Sequence, residues 1–261
     1  MRRLATVVAV LVLAGCGGTP GAGPDPAPSR PSPPATSTPP STPPSSPHTT
    51  PTPTAGPTPA PQPALVEGID ASHHQGPIDW GLVAAAGIRF AYLKATEGTG
   101  FTDPRFAAHR AAAVRAGVAV AGYHYFQLCS DGAAQAEHFL DVLGDQPGGT
   151  TRLAPPALDL ELAGSCAKPP PRASLLAQVR AFLRTVDERL GTTTLVYLYP
   201  DFEERFGFAP DLAGHPQWVR RLGDRPPARD WAVWQYDDRG SVPGVRGGVD
   251  RNRGTIPIAR R

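Results

Sequence analysis

The stretch LAPPALDLELAG, residues 153–164, has the composition of a buried β-strand but contains two carboxylates. Residues i and i+2 of a strand share a face, so Asp159 and Glu161 point one way and Leu158 and Leu160 the other. From the rise of a strand, the two acidic Cα atoms lie about 6–7 Å apart. Carboxylates this close repel, so one is predicted to keep its proton near neutral pH. Solvated charges on an edge strand are the alternative.

Predicted strands and helices alternate at least five times around this stretch. DPRFAAHRAAAVRAG, for example, is typical of a helix with Asp103 as its N-cap, Pro104 at its first position and Gly117 as its stop. Such alternation predicts a parallel sheet, either open or closed into a barrel. After Pro200 the predicted strands are short and lack clear helices between them. The fold class is therefore predicted to be α/β, an irregular, TIM-like (β/α) barrel whose last strands lack regular helices.

Further polar residues occur where other predicted strands end. Asp70 closes the first strand, His124 stands near the end of GYHYF, and Asp250 belongs to the last strand, in GGVDRN. Each has an ordinary alternative: a cap or turn for the two aspartates, a core position for the histidine. In a barrel, however, strand ends converge on the face that carries the chemistry. A proton donor beside an anion on that face can cleave a glycosidic bond.

Several segments together resemble the family 25 glycoside hydrolases, which are N-acetylmuramidase lysozymes. They occur in family order over nearly all of 65–252: GIDASHHQGPIDW, FAYLKATEGTGFTDPRFAAHRAAAVRAGV, AGYHYF, AQAEHFL, PPALDLE and WAVWQYDDRGSVPGVRGGVDRN. The similarity is weaker at VYLYPDFEERFG. It is weaker again at QWVRRLGD, where a Trp-x-Ala-x-Tyr-like pattern is usual. Both segments are expected near glycan-binding positions.

The resemblance implies an enzyme that needs no cofactor and cleaves the β-1,4 bonds between N-acetylmuramic acid and N-acetylglucosamine. Glu161 would be the general acid, and Asp159 would assist the N-acetyl group of the substrate as it attacks the anomeric carbon. Asp70 and Asp250 would complete an acidic cluster, although Asp70 could instead activate water in an inverting route. The residues expected at or near the substrate are Tyr125, His124, Trp234, Gln75, Glu97 and Lys94. Tyr123, Tyr199 and Tyr236 could also stack on sugars, with core packing as the alternative.

Other functions are disfavoured by what the sequence lacks. A non-catalytic glycan-binding lipoprotein on the same fold is the main alternative, but both Asp159 and Glu161 are present. A wall amidase or peptidase needs a metal cluster or a Cys/His nucleophile. The adjacent His73 and His74 diverge, and no zinc-like spacing occurs, so no metal is expected. Without a clustered basic stripe, nucleic acid is not expected as a partner. The expected partner is the glycan strand of peptidoglycan, bound by a monomer.

The N-terminal segment is typical of an exported protein. In MRRLATVVAVLVLAGCGG, two arginines precede a short apolar run, and LAGC resembles a bacterial lipobox in which Cys16 is lipidated. An ordinary signal peptide is the alternative. Residues 17–63 contain more than half of the 33 prolines and are predicted to be a disordered Pro/Thr/Ser-rich linker. We thus predict a signal at 1–16, a linker at 17–63 and a catalytic domain at 64–261. The protein would be lipid-anchored to the outer face of the cytoplasmic membrane, or secreted.

The predicted domain contains two cysteines, Cys129 and Cys166. In an exported protein an even number of cysteines most often indicates a disulfide. Both follow the ends of predicted strands, so their sulfurs can meet if those strands are neighbours. Two separate buried thiols are the alternative.

Overall fold

The computed structural model describes residues 64–144 and 154–255. The predicted signal peptide, Cys16 and the linker lie outside the described residues. The described strands are β1 Val66–Ala71, β2 Phe90–Glu97, β3 Phe101–Thr102, β4 Ala119–Tyr125, β5 Ala157–Leu160, β6 Leu195–Leu198, β7 Gln217–Arg220, β8 Val233–Gly240 and β9 Val249–Gly254. The α-helices are α1 Trp80–Ala85, α2 Phe106–Arg115, α3 Gly132–Leu143, α4 Arg172–Leu190 and α5 Pro200–Phe206.

Eight of these strands close into a barrel, in the order β1-β2-β4-β5-β6-β7-β8-β9 and back to β1. Strand β3 is a two-residue addition to β2. Seven barrel strands are parallel, whereas β9 runs antiparallel to both β8 and β1. Within the described ranges no α-helix separates β7, β8 and β9. The predicted irregular barrel is confirmed.

The helices end where the sequence provides stops, but one begins later than predicted. Helix α4 ends at Gly191, whose φ of 61° is left-handed and suits glycine. Helix α2 begins at Phe106, with Arg105 as an N-cap that makes no side-chain capping bond. The carboxylate of Asp103 instead accepts hydrogen bonds from the backbone of His73 and Arg105. The predicted Asp103 cap is therefore corrected: this side chain anchors the loop after β1.

Two apolar cores follow from the alternation of side chains along the strands. Leu158 and Leu160 point outward and pack in the core between the barrel and its helices, as predicted. Phe90 and Tyr92 belong to a second core that fills the barrel interior. The interior is crowded, since a Cβ on Gly68 would lie 2.2 Å from the Phe90 ring. Among the described residues, these side chains leave no room for a ligand in the middle of the barrel.

A disulfide joins the loops that follow β4 and β5. Cys129 and Cys166 are bonded, with 6.0 Å between their Cα atoms. Because β4 and β5 are neighbours, both loops lie on the same face of the barrel. The predicted disulfide is confirmed. None of the helices in the described ranges is both long and apolar enough to cross a membrane.

Candidate active site

A cleft of about 360 Å³ opens at the barrel end where the parallel strands terminate. It is lined by Asp70, Ser72, His74, Lys94, Tyr123, Tyr125, Asp159, Glu161, Tyr197, Tyr199, Trp218, Arg220, Gln235, Asp238 and Asp250. All four predicted acidic residues are thus brought together with several aromatic rings. Carboxylates beside aromatic rings suit a sugar chain, because the apolar faces of sugars stack on such rings.

The central pair stands at the end of β5. Asp159 is buried in the strand, and Glu161 follows its last residue and is partly exposed. Burial, together with the charges of Asp201 and Asp250, raises the pKa of Glu161 to about 7. Burial and the neighbouring charge of Glu161 raise the pKa of Asp159 well above its usual value. Both carboxyl groups therefore keep their protons to higher pH than a free carboxyl group does.

A second carboxyl pair faces the first. Asp70 and Asp250 are directly opposite each other in the β1–β9 register. Burial, followed by the charge of Asp250, raises the pKa of Asp70 well above its usual value, and burial raises that of Asp250 to about 6. Asn252 Nδ2 donates to Asp70 Oδ2 at 2.7 Å, and Trp218 Nε1 donates to Asn252 Oδ1 at 2.9 Å. This chain of donors fixes the position of the Asp70 carboxylate.

Lys94 brings a positive charge beside the first pair. Its Nζ lies 2.6 Å from Glu97 Oε2 and 4.6 Å from the centre of the Tyr125 ring. Gln127 Nε2 donates to Glu97 Oε1 at 2.7 Å. Lys94 and Tyr125 line the cleft, whereas Glu97 lies behind Lys94 and holds it in place. The Tyr125 hydroxyl donates to the carbonyl of Ala163, so its ring is fixed over the loop after Glu161.

The structure does not bring His124 into the cleft. Tyr123 and Tyr125 face the barrel interior, so the histidine between them faces the helices. It is fully buried, bonded to Thr96 and Gln135, with its ring 4.8 Å from that of Phe182. Burial lowers its pKa to about 3, so it is neutral. The predicted contact of His124 with the substrate is therefore corrected: its side chain lies in the core.

Trp234 and Gln75 also lie outside the cleft. Trp234 is on the outer face of β8, where Nε1 donates to the Arg221 carbonyl at 2.6 Å and the ring packs against Trp231. Its predicted sugar contact is corrected for the same reason as that of His124, since its neighbour Gln235 is the residue that faces inward. The Gln75 side chain accepts a hydrogen bond from the Ser72 backbone within the turn after β1. It shapes the loop and does not line the cleft.

Several lining residues were not singled out from the sequence. They are Ser72, His74, Tyr197, Trp218, Arg220, Gln235 and Asp238. The same i, i+2 rule that places Asp159 and Glu161 on one face also places Trp218 and Arg220 together on β7. Tyr123 and Tyr199 line the cleft, whereas Tyr236 does not. Residues 64–144 and 154–255 contain no cluster of His, Cys, Asp or Glu that could hold a metal ion.

A closed barrel with carboxyl groups of raised pKa in an aromatic-lined cleft at its strand ends has the features of a glycoside hydrolase. The sequence model of Glycosyl hydrolases family 25 matches residues 69–245, and the chain belongs to this family. Lysozyme M1 of Streptomyces globisporus is 36% identical over 207 residues, which cover 75% of this chain and 69% of that protein.

Two solved structures agree with this assignment. The bacterial lysozyme of Streptomyces coelicolor superimposes with a TM-score of 0.64 at 34% identity, covering 72% of this chain and 91% of that one. A family 25 glycosyl hydrolase of Bacillus anthracis gives a TM-score of 0.65 at 26% identity, covering 72% and 88%. The protein is accordingly a lysozyme, a glycoside hydrolase that acts on peptidoglycan.

Proposed function

We propose that this lysozyme cleaves the β-1,4 bond between N-acetylmuramic acid and N-acetylglucosamine, with Glu161 as the general acid. The observation that carries the proposal is the placement of Asp159 and Glu161 together in the cleft, where burial raises the pKa of Glu161 to about 7. A general acid is most effective when its pKa lies near the working pH. Glu161 is the more exposed member of the pair and therefore the one that reaches the glycosidic oxygen.

Asp159 is proposed to orient the N-acetyl group of the substrate. Its Oδ1 has no hydrogen-bond partner within the described residues, so it can accept the amide N–H of a bound sugar. That hydrogen bond would keep the negative charge on Asp159 and the proton on Glu161. Attack by the substrate's own N-acetyl group, followed by attack of water, gives net retention of configuration at C1.

The proposed reaction proceeds in two steps with net retention. In the first, Glu161 donates its proton to the glycosidic oxygen, the C1–O bond breaks, and the acetamido oxygen bonds to C1. Asp159 stabilises the positive charge that develops on the acetamido group. In the second, water gives a proton to Glu161 and attacks C1, which breaks the bond between C1 and the acetamido oxygen and opens the oxazolinium ring. The Asp70–Asp250 pair is proposed to support the charge on C1, with Tyr125 and Lys94 in contact with the sugars.

The N-terminal sequence and the disulfide bear on where the protein is located. The protein is proposed to be exported and held at the outer face of the cytoplasmic membrane by a lipid on Cys16. The sequence LAGC supports lipidation, and the Cys129–Cys166 disulfide supports an oxidising compartment. An anchor of several fatty chains holds a protein stably, whereas a single chain does not.

Substitution Glu161→Gln tests the assignment of the acid. The rate of release of reducing sugars from purified wall should fall by about two to four decades, the usual contribution of a positioned acid. Glu204→Gln is the matched control, because Glu204 is exposed on α5 and does not line the cleft. Near wild-type activity of a folded Glu161→Gln variant would remove Glu161 from the mechanism. Binding of wall glycan by the wild type without release of reducing ends would favour the non-catalytic alternative.

A further inference from the structure

The cleft has an excess of acidic residues over basic ones. Its lining contains five carboxylate residues, Asp70, Asp159, Glu161, Asp238 and Asp250, but only two arginines or lysines, Lys94 and Arg220. Peptidoglycan is itself anionic, because carboxylates occur on its lactyl ethers when unsubstituted and on its peptides. An acidic cleft repels such a chain unless a cation is placed to receive the carboxylate.

Lys94 is already engaged by the protein. Its ammonium group is 2.6 Å from Glu97 and lies over the rings of Tyr125 and Phe101, at 4.6 and 5.5 Å from their centres. A substrate carboxylate would have to compete with Glu97 for it. Lys94 can contact neutral sugar groups, but its ammonium charge is already paired with Glu97, so Arg220 is the cation better placed to bind a substrate carboxylate.

Arg220 combines a fixed position with open donors. It is the last residue of β7, and its Nη2 donates to Asp238 Oδ2 at 2.6 Å. Its guanidinium lies 5.1 Å from the centre of the Tyr199 ring, and the side chain is 19% exposed. Among the described residues no other side-chain hydrogen bond of Arg220 is formed, although a guanidinium carries five N–H donors. The remaining donors can bind a carboxylate through two parallel hydrogen bonds.

We propose that Arg220 is a specificity residue that binds a carboxylate of the peptidoglycan substrate in the cleft. This inference rests on the proposed function and names the part of the substrate that the cleft selects. The carboxylate belongs either to the lactyl ether of N-acetylmuramic acid or to the attached peptide.

A purely internal role for Arg220 makes a different prediction. Its charge lowers the pKa of Asp250 and it pairs with Asp238, so its loss could alter the acidic cluster itself. Such an effect would change the rate equally for every substrate. A carboxylate-binding role instead ties the effect of the substitution to the charge of the substrate.

The experiment therefore crosses two variants with three substrates at one ionic strength. The variants are Arg220→Gln and the matched control Arg221→Gln, whose exposed side chain does not line the cleft. The substrates are glycan strands with peptides, strands stripped of peptides so that the lactyl carboxylate is free, and stripped strands whose carboxylates are converted to methylamides. Steady-state rates give kcat and KM. Calorimetry in the Glu161→Gln background gives Kd without turnover.

For Arg220→Gln we expect KM and Kd to rise about 10- to 100-fold on a carboxylate-bearing substrate, as for a lost charge-assisted hydrogen-bond pair. They should stay within about threefold on the methylamide, and Arg221→Gln should change neither. If KM and Kd of Arg220→Gln rise on stripped strands, the carboxylate that Arg220 binds is that of the lactyl ether. If they rise only on peptide-bearing strands, the carboxylate belongs to the peptide. An equal change in KM and Kd on charged and neutral strands, or no change on either, would overturn the proposal. Absence of wild-type turnover would refute the proposed function but leave the Kd comparison decisive.

Discussion

Replacing Glu161 by glutamine should make the folded domain more stable at pH 8 as well as inactive. Burial raises the pKa of Glu161 in the folded domain from 4.5 to about 7. The folded state therefore binds this proton more tightly than the unfolded state, and ionisation opposes folding. The destabilisation is small below about pH 5, grows as the pH rises and is complete above about pH 7. A neutral glutamine removes it and can still donate a hydrogen bond to Asp159.

The size of the effect follows from the raised pKa. Moving a carboxyl pKa from 4.5 to about 7 corresponds to about 3 kcal/mol in favour of the unfolded state at pH 8. The charge of Glu161 also raises the pKa of Asp159, so the two groups do not contribute independently, and we expect a gain of about 2 kcal/mol in the free energy of unfolding. For a domain of this size that gain raises Tm by roughly 4–8 °C. At pH 5 the gain should be below about 1 kcal/mol.

Scanning calorimetry of the full chain at pH 5 and pH 8 measures this difference. Glu204→Gln removes the same charge from an exposed position of α5 and should leave Tm within about 1 °C at both values. A Glu161→Gln variant that is less stable than wild type at pH 8 would refute the reasoning. An equal gain at pH 5 and pH 8 would refute it too, because the gain would then not come from ionisation.

Three further predictions concern the pH profile, the disulfide and the anchor. The ratio kcat/KM should fall above about pH 7 as the acid deprotonates, so a rate still rising at pH 9 would contradict the role of Glu161. Replacing Cys129 and Cys166 together by serine should lower the free energy of unfolding by about 4 kcal/mol on the chain-entropy account, since the bond spans 37 residues; an unchanged Tm would exclude this. Cys16→Ser should move the protein from the membrane fraction to the medium or leave it unprocessed. Wild type found in the medium without a lipid mass would exclude the anchor.

The rule that side chains alternate between the two faces of a strand accounts for most of what the sequence could predict. It placed Asp159 and Glu161 on the inner face of β5 and the leucines on the outer face, and the structure agrees. Applied to β4, the rule also shows that His124 and Tyr125 cannot both face the cleft. Predicting both as substrate contacts was inconsistent with the rule, and the structure brings only the tyrosine into the cleft.

Other features depend on the whole barrel and cannot be derived from one segment. Asp250 stands near the start of β9, and it reaches the cleft only because β9 runs antiparallel to its neighbours. The register of β2 against β4 shifts between Lys94 and Thr96. This irregularity changes which side chains alternate inward, so Glu97 comes to face the same side as Lys94. No local sequence pattern predicts the antiparallel direction of β9 or the register shift in β2.

Mass spectrometry of borohydride-reduced fragments from digested peptidoglycan tests the central claim most directly. Borohydride reduces the sugar at each newly exposed reducing end, so the product records which bond was cut. Our account predicts that wild-type protein yields fragments ending in reduced N-acetylmuramic acid and that Glu161→Gln yields almost none. Fragments ending in reduced N-acetylglucosamine, or peptides released without new reducing ends, would contradict it.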